Sequence, residues 1–382
     1  QYRRDRRRLA CATRYVCTTA VLVLLGYASS RPRLIFYHDA SQIRANTLTD
    51  NSIAAIKAIS GPLCITTYVN VADYDCWSAA PSTINEDKDR FKMYLRFKPD
   101  IRMKYVYYYD EPLHNSDYGD GGMSTEELSM KMAEGLRIPW KKVLTPNEIH
   151  SIIDLSGEKN HVVKEIGSAD GRRTWLRIYD DMTKYPGEQE ITSALTRLED
   201  GALTVGFLEG HGERSIVRDE DGDYSGFAAD KDSRSALINT GFEVALVNAD
   251  STIAADILVI ADPDRTMNTD EQRNILSYLD RGGNLMLTME QKDASQMKWL
   301  LSYLGISVAD SILTLPGSPA APDLIPGIVT EDAGTLSRYF AKGLPVSMPS
   351  AASLSVDDET TWQCTPVLKL ADKAVLGAAL YR

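Results

Sequence analysis

The residues best suited to chemistry are Glu209, His211 and Glu213, which alternate with Gly210 and Gly212 in the run EGHGE. Two carboxylates and an imidazole in one short turn are ligands for a divalent metal, or hydrogen-bonding groups for a polar ligand. The glycines between them let the backbone bend tightly and let a ligand come close. They serve equally well for conformation alone, with His211 packed locally. Asp262 and Asp264 follow the next apolar run and Glu290 the one after. If these runs are neighbouring strands, their shared edge is acidic. Such an edge suits a cation or sugar hydroxyls and repels phosphate. For Asp262, Asp264 and Asp270, capping of a following helix is the plainer use.

The elements that must carry these residues are legible in the same stretch. Apolar runs at 203–208, 255–261 and 284–289 each stop abruptly, and a further strand is expected at 242–247. Helical periodicity predicts helices over 230–240, 269–280 and 294–304, with Gly241 and Gly282-Gly283 at helix ends. Unbroken apolar strands alternating with helices specify a doubly wound parallel sheet, and α/β folds of this kind build sites where the strands end. Strands at 344–354, 366–370 and 375–380 are expected to complete that sheet, after a loop at 316–326. Upstream, the reading gives a helix at 49–59 capped by Thr49 or Asp50, a strand at 63–69 and a helix at 87–97. A strand at 101–109 carries Tyr105, Tyr107, Tyr108 and Tyr109, read as core plus one exposed face or as a stacking surface for a sugar. A helix at 124–136 opens with Ser124 and Glu127 in capping-box positions. A hairpin joins 161–166 to 174–179, and a helix follows at 188–198. The order β-α-β-α-β-β-α resembles a thioredoxin-like architecture without its CxxC motif. The expected organisation is therefore a segment at 1–30, one α/β domain at 31–199 and a second at 200–382.

The chain has 382 residues, 43% of them apolar, and a net charge of -11. That balance argues against nucleic acid as a partner. The first eight residues, QYRRDRRR, are nonetheless basic, and an apolar stretch follows at 9–28, interrupted by Arg14. A membrane helix needs about 20 such residues, and the basic flank puts the amino terminus inside. A cleaved signal peptide and a buried core helix are the alternatives. The chain opens on Gln1 and ends in an apolar run, as a fragment of a longer protein would. Among five cysteines there is no CxxC and no zinc-like spacing. A Cys64–Cys76 disulfide stays open for an extracytoplasmic domain, against free, buried thiols. Neither a Walker A sequence nor GxGxxG is present, so no nucleotide or other cofactor is implied. No GxSxG elbow is present. His38, His114, His150 and His161 show no partner pattern and read as surface or packing residues.

The segments FLEGHGE, ADILVIADPDRTMNTDEQRNILSYLDRGGNLMLTME and LTDNSIAAIKAISGPLCITTYV together resemble auxiliary subunits of bacterial ABC transporters of the gliding-motility type, the GldG family. The resemblance spans roughly residues 16–310. It implies a membrane helix, a thioredoxin-like domain and then a GIFT domain, which is similar in fold to class I glutamine amidotransferases but lacks their catalytic cysteine. It further implies a non-enzymatic subunit tethered to the inner membrane with its bulk in the periplasm. Its partners would be an ABC permease and, through it, the ATPase, and a glycan or other small molecule is the ligand suggested for the GIFT domain. The second membrane helix expected at the carboxyl end is missing. On that reading Glu209, His211, Glu213, Asp262 and Glu290 are ligand-binding residues and none is catalytic. The rivals are a glycan-binding module without a transporter and a metal-dependent hydrolase using Glu209, His211, Glu213 and Asp262.

Overall fold

A computed structural model describes residues 2–30, 37–42, 44, 46–113, 122–218, 220–315, 321–337, 339–340, 343–370 and 375–376. His114, Asp219 and the last part of the expected strand at 375–380 lie outside the described residues. The chain is a mixed α/β protein that forms two units, Gln1–Ala202 with Asp230–Gly241, and Leu203–Ala229 with Phe242–Arg382.

The chain begins with one long helix, α1 (Tyr2–Ser29). Within it Cys11–Ser29 is 19 residues long with a mean hydropathy of 1.4, and none of it is buried. It is the one helix among the described residues long and apolar enough to cross a membrane. Val16, Leu22 and Leu24 stand exposed among the described residues, an arrangement that water disfavours and hydrocarbon accepts.

The rest of the first unit wraps a five-stranded mixed sheet. Its elements run α2 (Asp50–Ala58), β1 (Leu63–Asn70), α3 (Ile84–Arg90), α4 (Lys92–Phe97), β2 (Arg102–Tyr108) and α5 (Thr125–Gly135). Then come β3 (Val143–Leu144), α6 (Pro146–His150), β4 (Val163–Ser168), β5 (Arg173–Arg177) and α7 (Glu188–Asp200). The sheet order is β3-β2-β1-β4-β5. β1 runs parallel to β2 and antiparallel to β4, and the expected hairpin pairs β4 with β5. α2, α4 and α7 press Ile56, Tyr94, Ile191 and Leu195 against Leu63, Ile65 and Ile166. The helix expected at 87–97 is two helices, broken at Phe91, whose buried ring anchors the joint. Thr49 caps α2, and the Ser124–Glu127 box closes on α5.

This interior is rich in ions. Lys164 Nζ donates to Asp87 Oδ2 at 2.7 Å and to Thr67 Oγ1 at 3.0 Å, and Tyr105 donates to the same carboxylate at 2.7 Å. Burial holds the Lys164 ammonium below the usual lysine range, against the pull of Asp87. Arg177 grips Glu158 through Nε at 2.6 Å and Nη2 at 2.8 Å. Buried charges persist only when paired in this way.

The helix expected at 230–240 does not form. Asp230–Gly241 packs within the first unit, and only Leu237–Asn239 makes a 3-10 turn. Asn239 explains the difference: its Nδ2 donates to the carbonyls of Asp230, Lys231 and Ser233, which closes a compact loop instead of a helix. Its Oδ1 accepts from Arg177 at 2.9 Å.

The second unit contains β6 (Leu203–Leu208), α8 (Ser225–Ala228), β7 (Phe242–Val247), β8 (Ile257–Ala261), α9 (Thr269–Asp280), β9 (Asn284–Thr288) and α10 (Lys298–Leu304). Its four strands form an all-parallel sheet in the order β7-β6-β8-β9. Leu258 and Ile260 are fully buried, packed with Ile275 and Tyr278 of α9 and Leu300 of α10. The first half of the helix expected at 294–304 is a 3-10 segment, Gln291–Met297.

The later strands do not extend this sheet, contrary to expectation. β10 (Ile306–Thr314), β11 (Leu324–Val329), β12 (Pro345–Pro349), β13 (Ala352–Val356), β14 (Leu368–Leu370) and β15 (Val375–Leu376) form two separate antiparallel sheets, β13-β10-β15 and β12-β11-β14. The prolines at both ends of β12 cannot donate to a ladder, which suits a sheet edge.

Candidate functional site

The EGHGE turn leaves the carboxyl end of β6, at the centre of the parallel sheet. Gly212 has φ +81°, a left-handed backbone that favours glycine, and a Cβ there would meet the exposed carboxylate of Asp264. Asp264 N and Arg265 N both donate to the His211 carbonyl, at 3.0 and 3.1 Å, and tie the two strand ends together.

His211 is held on both sides. Its Nδ1 lies 3.2 Å from Glu213 Oε1 and its Nε2 lies 3.1 Å from Glu271 Oε2. Glu213 Oε2 accepts from the His211 backbone N–H at 2.6 Å. Glu271 also closes the capping box of α9 with Asn268. Both carboxylates are therefore committed to local structure as well as to the imidazole. Glu209 is exposed and takes no part in this network.

Asp262 and Glu290 belong to a second group. Asp262 Oδ2 accepts from Arg214 Nε at 3.0 Å and Nη2 at 2.8 Å, and Glu290 Oε1 accepts from Arg214 Nη2 at 2.8 Å. Asp262 Oδ1 accepts from Glu290 N at 2.7 Å. Helix capping is not the use of Asp262: Asn268 caps α9, accepting from Asp270 N and Glu271 N. Asp262 adopts φ +54°, a conformation that aspartate tolerates better than most residues. Its hydrogen bonds hold the Arg214 guanidinium even more firmly protonated than usual.

A cavity of about 270 Å³ opens beside this arginine. Gly212, Glu213, Arg214, Asp223, Asp262 and Asp264 contribute to its wall, with Arg218, Lys292 and Asp293 nearby. The side chain of Asp223 is almost wholly buried. Its Oδ1 accepts from Ser215 N at 2.8 Å, while Oδ2 has no hydrogen-bond partner among the described residues. Burial raises the Asp293 carboxyl above its ordinary range, opposed by Lys292 and reinforced by Asp262, Glu290 and Asp264. The wall carries seven carboxylates against Arg214, Arg218 and Lys292, so it suits a hydroxyl-rich or cationic ligand over a phosphate.

Of the residues singled out in the sequence, Glu213, Asp262 and Asp264 reach the cavity wall. His211 stands behind it, Glu290 braces Arg214, and Glu209 points to neither group's contacts. Arg214, Asp223 and Glu271 were not foreseen as site residues. Two histidines read as lacking partners have them: His150 Nε2 lies 2.6 Å from Asp110 Oδ2, and His161 Nδ1 lies 2.6 Å from Asp73 Oδ2.

Comparison with known families finds one that overlaps this region. The family described as an ABC-type uncharacterized transport system matches residues 203–310. That span contains the parallel sheet, the EGHGE turn and the cavity, and the match supports a transporter-associated auxiliary role. The match to this family implies association with transporter components. One solved structure, titled mmIFT52 N-terminal domain, is similar at 17% identity over 45% of this chain and 74% of that one, with a TM-score of 0.35. No curated protein matches.

Proposed function

We propose that this chain is a non-enzymatic auxiliary or substrate-binding subunit of a bacterial ABC transporter of the gliding-motility type. α1 tethers it to the inner membrane, and both α/β units lie in the periplasm. On this reading 31–199 is a thioredoxin-like domain and 200–382 a GIFT-like domain. The permease is the direct partner, and the ATPase is engaged through it. The observation that carries the reading is the family match over 203–310, joined to an apolar amino-terminal helix that is exposed among the described residues.

The parallel-sheet edge is the ligand site in this account. Glu213, Asp262 and the free oxygen of Asp223 accept hydrogen bonds, and Arg214, braced by Glu290, donates them. Glu209 and His211 complete the turn. A glycan or another hydroxyl-rich molecule matches that mixture. A metal-dependent hydrolase is disfavoured, because both His211 nitrogens face committed carboxylates and Asp262 is engaged with Arg214.

Co-purification from native membranes tests the assignment. Mass spectrometry of material captured on the tagged full chain should recover an ABC permease and an ATPase. A chain recovered alone, from membranes where it is intact, would contradict it.

A further inference from the structure

The cavity at the parallel-sheet edge is short of positive charge, and the shortage has a definite chemistry. Its cations are already engaged. Arg214 is held by Asp262 and Glu290. Lys292 Nζ lies 2.6 Å from Glu290 Oε2 and only 3.9 Å from Asp293 Oδ2. Arg218 Nη2 lies 3.3 Å from Asp223 Oδ1. Burial holds the Asp293 carboxyl above its ordinary range against Lys292, and Asp262, Glu290 and Asp264 add to the effect.

Asp223 is the sharpest case. Its side chain is 5% exposed. Oδ1 accepts from Ser215 N at 2.8 Å and faces Arg218, while Oδ2 is buried without a hydrogen-bond partner among the described residues. A buried carboxylate oxygen without a donor is costly, and such groups call for a partner. The segment that presents it is anchored by the next residue. Tyr224 N donates to the Ser215 carbonyl at 2.7 Å. The Tyr224 ring meets Phe207 of β6 edge-on, and its hydroxyl lies 3.1 Å from Thr288 Oγ1 at the end of β9. Asp223 is thus set in place by two strands of the sheet.

Three kinds of ligand could supply a donor. A bare metal ion needs several oxygens gathered around one point. Among the described residues the wall carboxylates form no group of three with ligand atoms within 4.8 Å of one another. A neutral hydroxyl can donate to Oδ2 but leaves the excess charge of the wall unbalanced. A primary ammonium brings a positive charge and three donors on one small group. The cavity, about 270 Å³, falls just below the roughly 300–1,000 Å³ of pockets for drug-sized ligands, which suits a single ring. Asp264, with its side chain 63% exposed, is open to accept from ring hydroxyls.

We infer that this cavity binds an amino sugar through its free ammonium group, with Asp223 Oδ2 as the acceptor and Asp293 contributing a second negative charge to the same wall. The inference rests on the reading of the sheet edge as the ligand site, and narrows a glycan in general to one with an unacetylated amine.

The test is titration of D-glucosamine, N-acetyl-D-glucosamine and D-glucose into the detergent-purified full chain, followed by ligand-observed NMR. The three sugars differ only at C2, which carries an ammonium, a neutral amide or a hydroxyl. Glucosamine should bind at least tenfold more tightly than the other two. Asp223→Asn keeps the Oδ1 acceptor for Ser215 N, and should weaken glucosamine at least tenfold while moving glucose less than threefold. If that variant does not fold, Asp293→Asn should weaken glucosamine at least threefold. Equal binding of glucosamine and glucose would overturn the proposal and leave the ligand-site reading standing. No binding of any of the three would overturn both. Glucosamine binding that neither substitution weakens would overturn the proposal as well.

Discussion

His161 and His211 each stand between two carboxylates, one within the buried ion network of the first unit and the other at the parallel-sheet edge of the second. His211 meets Glu213, two residues away, and Glu271 at the start of a helix. Those carboxylates also bind a backbone N–H and complete a cap, so the imidazole is a local strut at a sheet edge. His161 meets Asp73, 88 residues away, where β1 has ended and β4 is about to begin, and the pair is almost free of solvent. The contrast extends to the units around them. The first buries its ions, in Lys164–Asp87 and Arg177–Glu158. The second keeps an apolar interior and displays its charges where the parallel strands end. Asp73 likewise accepts a backbone N–H, from Asp75, and Asp75 is paired with Lys184, so in both units the carboxylates beside a histidine also fix the local backbone or a cation.

The sharpest way to break this comparison is to remove one member of a buried pair. Glu158→Ala leaves Arg177 buried without its carboxylate and should cost about 3–5 kcal/mol of stability in chemical denaturation. In the second unit the counterpart of largest effect is apolar: Leu258→Ala, fully buried, should cost roughly 2–5 kcal/mol. A cost below about 1 kcal/mol for Glu158→Ala would erase the distinction between the units.

Acid unfolding sharpens the same point. Burial raises the Glu158 carboxyl, but the Arg177 hydrogen bonds and charge, with Lys231, outweigh it and leave it below the ordinary glutamate range. A depressed folded-state value contributes stability above the unfolded-state value that is lost as pH falls through the folded one. Stability measured from neutral pH into the acid range should therefore fall less steeply in Glu158→Gln than in the unaltered chain. At the surface of the second unit effects should be small. Asn268→Ala should cost about 1 kcal/mol as a lost helix cap. Asp262→Ala should cost roughly 1 kcal/mol or less, while ligand binding at the cavity is lost.

Legibility in the sequence followed the range over which each feature is determined. The parallel strands and α9 were readable because apolar runs and helix caps are local signals. Asp230–Gly241 was misread because its periodicity was outcompeted by Asn239, whose three carbonyl contacts no window of hydrophobicity registers. Only part of the carboxyl-terminal region was read as strands: β12 and β13 divide the strand expected at 344–354, β14 and β15 fall in expected strands, but β10 was not foreseen and β11 begins inside the loop expected at 316–326. Their partners depend on register, which short segments specify weakly. The EGHGE turn stood out since its groups are adjacent in the chain. Asp73, Asp75 and His161 did not, because only the pairing of β1 with β4 brings them together. Arg214 passed unnoticed for the same reason: its importance lies in Asp262 and Glu290, 48 and 76 residues away.

The central claim, an auxiliary subunit acting on an ABC permease, is tested most directly by crosslinking in intact cells. Photoreactive residues placed on the exposed surface of the second unit should capture permease peptides before any membrane is solubilised. Recovery of those peptides is the predicted result. Crosslinks confined to soluble proteins, from a chain shown to reside in the membrane, would contradict the account.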